Sequence, residues 1–220
     1  MIDFGSVSNT VHISSPVDLL IALFTLSLIP LLAVSATSFT RVVVVLGLLR
    51  SSLGTQAVPP NAVIAALAIM LSALIMSPTL NRVNREAIVP YQQHRLIARV
   101  ALERGASELK KFMLHQTRRS DIATFARYVR QSIPDNRTSS IPISVVAPAF
   151  MVSELRAAFA IGFAFALPFV VIDVVVAAVM MSLGMFMVSP TTIALPIKLL
   201  LFVSADGWAI VCGSLIQSFR

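Results

Sequence analysis

From Leu19 to Thr40 the chain runs for 22 residues without a charge, and three more charge-free runs follow at Ala57–Leu80, Ala157–Ile172 and Val174–Ile197. About 20 consecutive apolar residues let a helix cross a bilayer, because a helix satisfies its own backbone polar groups where no water can. Composition agrees. Hydrophobic residues make up 57% of the 220 and charged residues 12%, against roughly 25% charged in a soluble domain. So much apolar surface excludes a disordered chain, and the single cysteine, Cys212, excludes a disulfide scaffold. Cys212 reads as a small structural residue in an apolar helix. The expected class is all-α: integral-membrane-type helical hairpins with kinked helices and a small helical insert.

Charge is concentrated in that insert. Between Arg82 and Arg137 stand 12 of the 17 basic residues and five of the 10 acidic ones, so this segment carries the whole formal net charge of +7. The chain divides into a polar leader (1–18), a first hydrophobic helical hairpin (19–80), a basic helical domain (81–141), and a second hydrophobic hairpin with the C-terminal segment (142–220). The leader holds no Lys or Arg, whereas a secretory signal needs a positive start; the chain inserts without a cleaved signal, or one has been removed.

Apolar character continues beyond Thr40 through Val42–Leu49 to Arg50. One helix from Asp18 to Arg50 would be about 50 Å long, against a hydrocarbon core of about 30 Å. It must bend, break or leave the membrane plane. After Gly54 and Pro59-Pro60, a helix from about Asn61 to Met76 is expected to stop near Ser77-Pro78. In the insert, Ser120 is placed to cap a helix whose apolar residues Ile122, Phe125 and Val129 recur at helical spacing. Ile133-Pro134 would end it. Leu109, Phe112 and Met113 mark a shorter apolar face, and together these helices suggest a modest core of their own. Gly184 to Pro190 is the one obvious turn of the last block. Pro168 and Pro196 inside its apolar stretches predict kinks.

Nothing in the chain resembles a metalloprotease, serine-hydrolase, phosphate-loop or dinucleotide motif. His12, His94 and His115 are scattered and suggest no metal site or cofactor. Asn136-Arg137-Thr138 matches a glycosylation acceptor, a pattern common by chance. The basic insert lacks a stacking platform, so nucleic acid is not an expected partner. Two signals stand out. Asp173 and Lys198 are charges at bilayer depth, where they must face protein or water. With a turn near Phe186–Met187 they lie within about one helical turn of each other. A structural ion pair is the plainer reading, a proton relay the other. Met185-Phe186-Met187, at the turn, could form a compressible apolar constriction or simply pack in the core.

Several motifs together resemble the FliP/SctR family of type III secretion export-gate proteins. They are Thr37–Arg41, Leu48 to Asn61, Phe112-Met113-Leu114 through Thr117-Arg118, Ser153-Glu154-Leu155, Leu183 to Pro190 and Asp206-Gly207-Trp208. The closing Gly213–Phe219 is more similar to the flagellar branch than to the injectisome branch. The resemblance implies a non-enzymatic subunit of a flagellar export gate. Its fold would be bent hairpins that largely leave the bilayer plane. Its partners would be further copies of itself (pentameric in the family), FliQ-like and FliR-like membrane subunits, export-apparatus proteins such as FlhA and FlhB, and the exported flagellar proteins. The family's methionine gasket falls on Met185, Phe186 and Met187, with phenylalanine here in the middle of the usual three methionines. Its intramembrane charges fall on Asp173 and Lys198. The location implied is the bacterial inner membrane at the flagellar basal body, with the basic insert on the periplasmic side. The positive-inside rule alone would put that insert in the cytoplasm. An outside N-terminus, predicted by the acidic leader and Arg41/Arg50, followed by two crossings returns it outside. An injectisome subunit of the same architecture and a proton-coupled transporter using Asp173 and Lys198 are the alternatives.

Overall fold

The computed structural model describes residues 16–17, 19–20, 23–24, 27, 34–55, 58–129 and 141–219. Ten of the 22 residues of the first apolar run, His12, Ile133-Pro134 and the 136–138 acceptor pattern lie outside them. Among the described residues there is helix and no strand. In chain order these are α1 (Phe39–Ser52), α2 (Asn61–Val83), a π-helical turn (Asn84–Ile88), α3 (Val89–Gln92), α4 (Ala98–Gln116), α5 (Arg119–Tyr128), α6 (Ile143–Ser182), α7 (Pro190–Ser204) and α8 (Gly207–Gln217).

The overlong first segment is interrupted at Thr37 and Ser38, and α1 starts afresh at Phe39. α1 becomes the axis of the main core. Val42, Val45, Leu46 and Leu49 are buried against Ile64 and Ala68 of α2, Ala158 and Phe169 of α6, and Leu215 of α8. A second cluster joins the insert to the start of α6. Phe112, Met113, Ile122 and Ala126 pack with Met76, Val145, Val146 and Phe150. The insert helices thus share their core with α2 and α6.

Two local expectations are corrected. The helix from Asn61 does not stop at Ser77-Pro78; it passes through Pro78 to Val83 and continues through the π turn to Gln92. Proline removes one backbone donor, whereas ending a helix in apolar surroundings strands several backbone groups, so continuing is cheaper. Ser120 is not the cap of α5. The cap position is Arg118, whose carbonyl accepts from the N–H groups of Asp121 and Ile122. The Arg118 N–H is itself held at 3.2 Å by Ser153 Oγ of α6, a tertiary contact that sets where the helix begins. Val129 then falls at the C-cap and is exposed, and Ala126 takes the inward position.

The expected turn is present: α6 ends at Ser182, Gly184 adopts φ +74°, and α7 begins at Pro190. Pro168 and Pro196 lie inside their helices. α2 with its extension and α6 are long and apolar enough to cross a membrane, and α7 with α8, bent by 64°, makes a third such stretch. At 40 residues, α6 is about 60 Å long, twice the hydrocarbon thickness.

Gly162 lets α6 approach α1. A Cβ there would lie 3.1 Å from Leu48 Cβ and closer still to the end of that side chain. Gly162→Val should therefore destabilise the α1–α6 contact by about 1–3 kcal/mol, read as a lower unfolding midpoint of the detergent-solubilised chain; an unchanged midpoint would show that the helices close elsewhere.

Candidate functional site

The hairpin of α6 and α7 brings Asp173 and Lys198 together, with Lys198 Nζ 2.6 Å from Asp173 Oδ2. Lys198 is buried and also donates to the backbone carbonyl of Ser52 at 3.1 Å, at the end of α1. One ammonium thus joins both legs of the hairpin to a third helix. Asp173 is less enclosed, 39% exposed at its side chain.

At the tip of the hairpin, Met185, Phe186 and Met187 are all exposed, with Met187 99% accessible. Within the single chain the turn keeps these three side chains out of the helical core. An exposed apolar stripe runs back from the tip along α6 at Val174, Val170, Leu167, Phe163 and Phe159. Its spacings of three and four place it on one helix face. Little of the apolar length of α6 is buried within the chain.

The most enclosed ion pair among the described residues is one that sequence reasoning missed. Arg41 of α1 and Glu154 of α6 form a two-pronged pair, Nε to Oε2 at 2.9 Å and Nη2 to Oε1 at 2.5 Å, and both side chains are buried. Arg41 Nη1 also donates to the Ser218 carbonyl at 2.8 Å and to its Oγ at 3.1 Å, while Nη2 reaches Gln116 Oε1 at 3.4 Å. The guanidinium carbon lies 3.7 Å from the centre of the Phe219 ring. Arg41, Gln116, Glu154 and Ser218 belong to four of the motif stretches read from the sequence or adjoin them. The available signal was a pair of opposite charges, each in a charge-poor stretch.

A further ion cluster sits in the insert. Glu108, almost fully buried, is paired with Lys111 and with Arg82, whose Nε is 3.3 Å away. The hydrogen bond from Lys111 holds the Glu108 carboxyl below its ordinary value of 4.5, with the charges of Lys111 and Arg82 adding to the shift and burial opposing it. Lys111 is raised reciprocally by the same bond. Asp121 accepts from Arg156 at 3.1 Å, tying α5 to α6. His94 and His115 lie apart from any group of three or more potential metal ligands among the described residues.

A sequence profile of the FliP family matches residues 22–215. The chain belongs to the FliP family. It is similar to the flagellar biosynthetic protein FliP of Pectobacterium carotovorum, 48% identical over 92% of this chain and 78% of that one. The FliP protein of Bacillus subtilis is 42% identical over 99% of this chain and 98% of its own length. A protein of Xanthomonas campestris pv. glycines described as pathogenicity-related ORF2 is 40% identical over 92% of this chain and 96% of its own.

Two outcomes are expected for this FliP-family chain. Glu154→Ala leaves a buried guanidinium without its counter-charge and should cost about 3–5 kcal/mol, whereas Arg41→Met with Glu154→Leu should recover most of that loss. Denaturant unfolding of the solubilised chain measures both, and equal losses would mean that packing rather than charge is at stake. A depressed carboxyl pKa stabilises the fold above its unfolded value, and the benefit disappears as pH falls through the lowered folded value. Acidification below the ordinary 4.5 of Glu108 should loosen α4 from α2, seen as lower amide protection factors in α4. Glu108→Gln should remove that acid-dependent step.

Proposed function

We propose that this chain is a structural, channel-forming subunit of the flagellar type III protein export gate, and that unfolded flagellar proteins pass through the channel it helps to enclose. Family membership supports the setting. The observation that carries the mechanism is the exposed Met185-Phe186-Met187 turn at the tip of a hairpin tied by Asp173 and Lys198. Repeated around an axis, such tips would meet as a ring of unbranched, adaptable side chains that closes by excluding water and parts when a chain is pushed through. Phe186, 80% exposed, adds bulk to that ring.

The exposed stripe of α6 requires cover, and further copies of the chain together with FliQ-like and FliR-like subunits would supply it. FlhA-like and FlhB-like proteins complete the apparatus in this reading. Its place is the inner membrane at the basal body, with the insert between α2 and α6 on the periplasmic side and no catalytic step. The Asp173–Lys198 pair serves structure here: Lys198 is held by acceptors on two different elements, as suits a tie rather than a mobile proton carrier. An injectisome subunit is the second reading, favoured by the similarity to the pathogenicity-related Xanthomonas protein. The genes that neighbour this one separate the two.

Replacing Met185, Phe186 and Met187 together with glycine should leave assembly intact and make the membrane leaky to small ions. Conductance equal to that of the unaltered assembly would remove the turn from the closure role.

A further inference from the structure

The methionines of this chain differ in what covers the sulfur. Met76 and Met113 lie in the core shared with the insert, and Met180 is buried near the end of α6. Met151 is half-buried, and its sulfur accepts from the Thr40 hydroxyl at 3.8 Å. Met70 is exposed on α2, and Met181 continues the apolar stripe of α6 two helical turns beyond Val174. Both belong to surface that lipid or protein must cover. Met185 and Met187 stand apart. They sit in the turn between α6 and α7, beyond either helix face. The backbone there is fixed, with the Met185 N–H on the Met180 carbonyl at 3.0 Å, while the Met187 side chain is 99% accessible. Two of the three side chains of the turn thus present a sulfur to small water-borne reagents; the third, Phe186, has none.

A thioether, unlike a thiol, has no proton to lose before it attacks an oxidant, so access decides which methionine reacts. Attack of the sulfur lone pair on hydrogen peroxide forms an S–O bond and breaks the O–O bond. The sulfur is oxidised by two electrons. The departing hydroxide takes the proton from the transferred oxygen and leaves as water, and the product is the polar sulfoxide. In a ring that closes by excluding water, the side chains of Met185, Phe186 and Met187 offer that oxygen no donor, and an unpaired polar group disfavours the dry, closed form. We propose that Met185 and Met187 are peroxide-sensitive modification sites and that their oxidation opens the constriction, a change that sulfoxide reduction reverses. This rests on the reading of the turn as the closing ring. Phe186 cannot be converted in this way and keeps part of the apolar closure.

The test uses the full chain assembled in bacterial membrane vesicles, exposed to hydrogen peroxide. Peptide mass mapping reads which sulfurs gain oxygen, and ion leak across the same vesicles reads closure. Met185 and Met187 should be oxidised ahead of every other methionine, and the leak should rise on the order of tenfold, the effect of leaving one polar group per ring unpaired on closing. Met185→Leu with Met187→Leu keeps apolar bulk but carries no sulfur at the turn. Whatever its own leak, it should not respond to peroxide, although Cys212 and the other methionines are still present. Protection of Met185 and Met187, oxidation of both with unchanged leak, or an equal response in the leucine variant would each overturn the inference. The glycine replacement of the whole turn separates the two readings. If it leaks and the oxidised chain does not, only the modification is lost; if neither leaks, the closing ring falls as well.

Discussion

A single guanidinium organises the inner half of this molecule. Arg41 is almost fully buried and needs a partner for nearly every donor it carries. It obtains them from Glu154, Ser218 and Gln116, with Phe219 against its face. Each partner comes from a different part of the chain, so satisfying one side chain brings α1, α4, α6 and the C-terminal turn to one point. Replacing both Arg41 and Glu154 with apolar residues could preserve stability, but an apolar surface has no preferred bearing. A two-pronged pair does, and it fixes the register of α1 along α6. Ser153, next to Glu154, extends the same junction by accepting from the Arg118 N–H and fixing the start of α5.

Beyond that junction the chain opens out. α6 leaves the shared core and continues with little of its apolar surface covered, ending in a turn whose Met185, Phe186 and Met187 touch nothing that would bury them. Such surface is stable in water only when lipid or protein covers it. The Asp173–Lys198 pair and the bond from Lys198 to Ser52 hold this arm. The outer hairpin is therefore anchored by polar contacts at its middle while its tip is left uncovered, as the proposed ring of tips requires.

The insert follows another logic. Its excess of positive charge is mostly solvated, but Glu108 draws Arg82 and Lys111 back onto α2 and leaves a cavity between apolar and charged walls. The π turn just beyond Val83 continues the same long helix, whose course through Pro78 places Arg82 opposite Glu108. Had the helix stopped at Ser77-Pro78, neither the ion cluster nor the cavity would exist.

What could be read from the residues in order was whatever depends on local composition and spacing. The apolar runs, the basic insert, the turn at Gly184–Pro190 and the apolar positions Phe112, Met113 and Ile122 belong to this class, since helix period and turn chemistry act within a few residues. Asp173 and Lys198 were also within reach, because a hairpin turn of known position sets which residues face each other. Arg41 and Glu154 were not. They are 113 residues apart, and no local pattern links two charges that meet only after several helices have packed. The passage of α2 through Pro78 and the start of α5 at Arg119 were likewise decided by tertiary surroundings, which made an unbroken helix cheaper in one case and supplied Ser153 as a partner in the other. Exposure of the Met185-Phe186-Met187 turn also required the fold. The same three residues suit a core or a tip, and only the packed helices determine which.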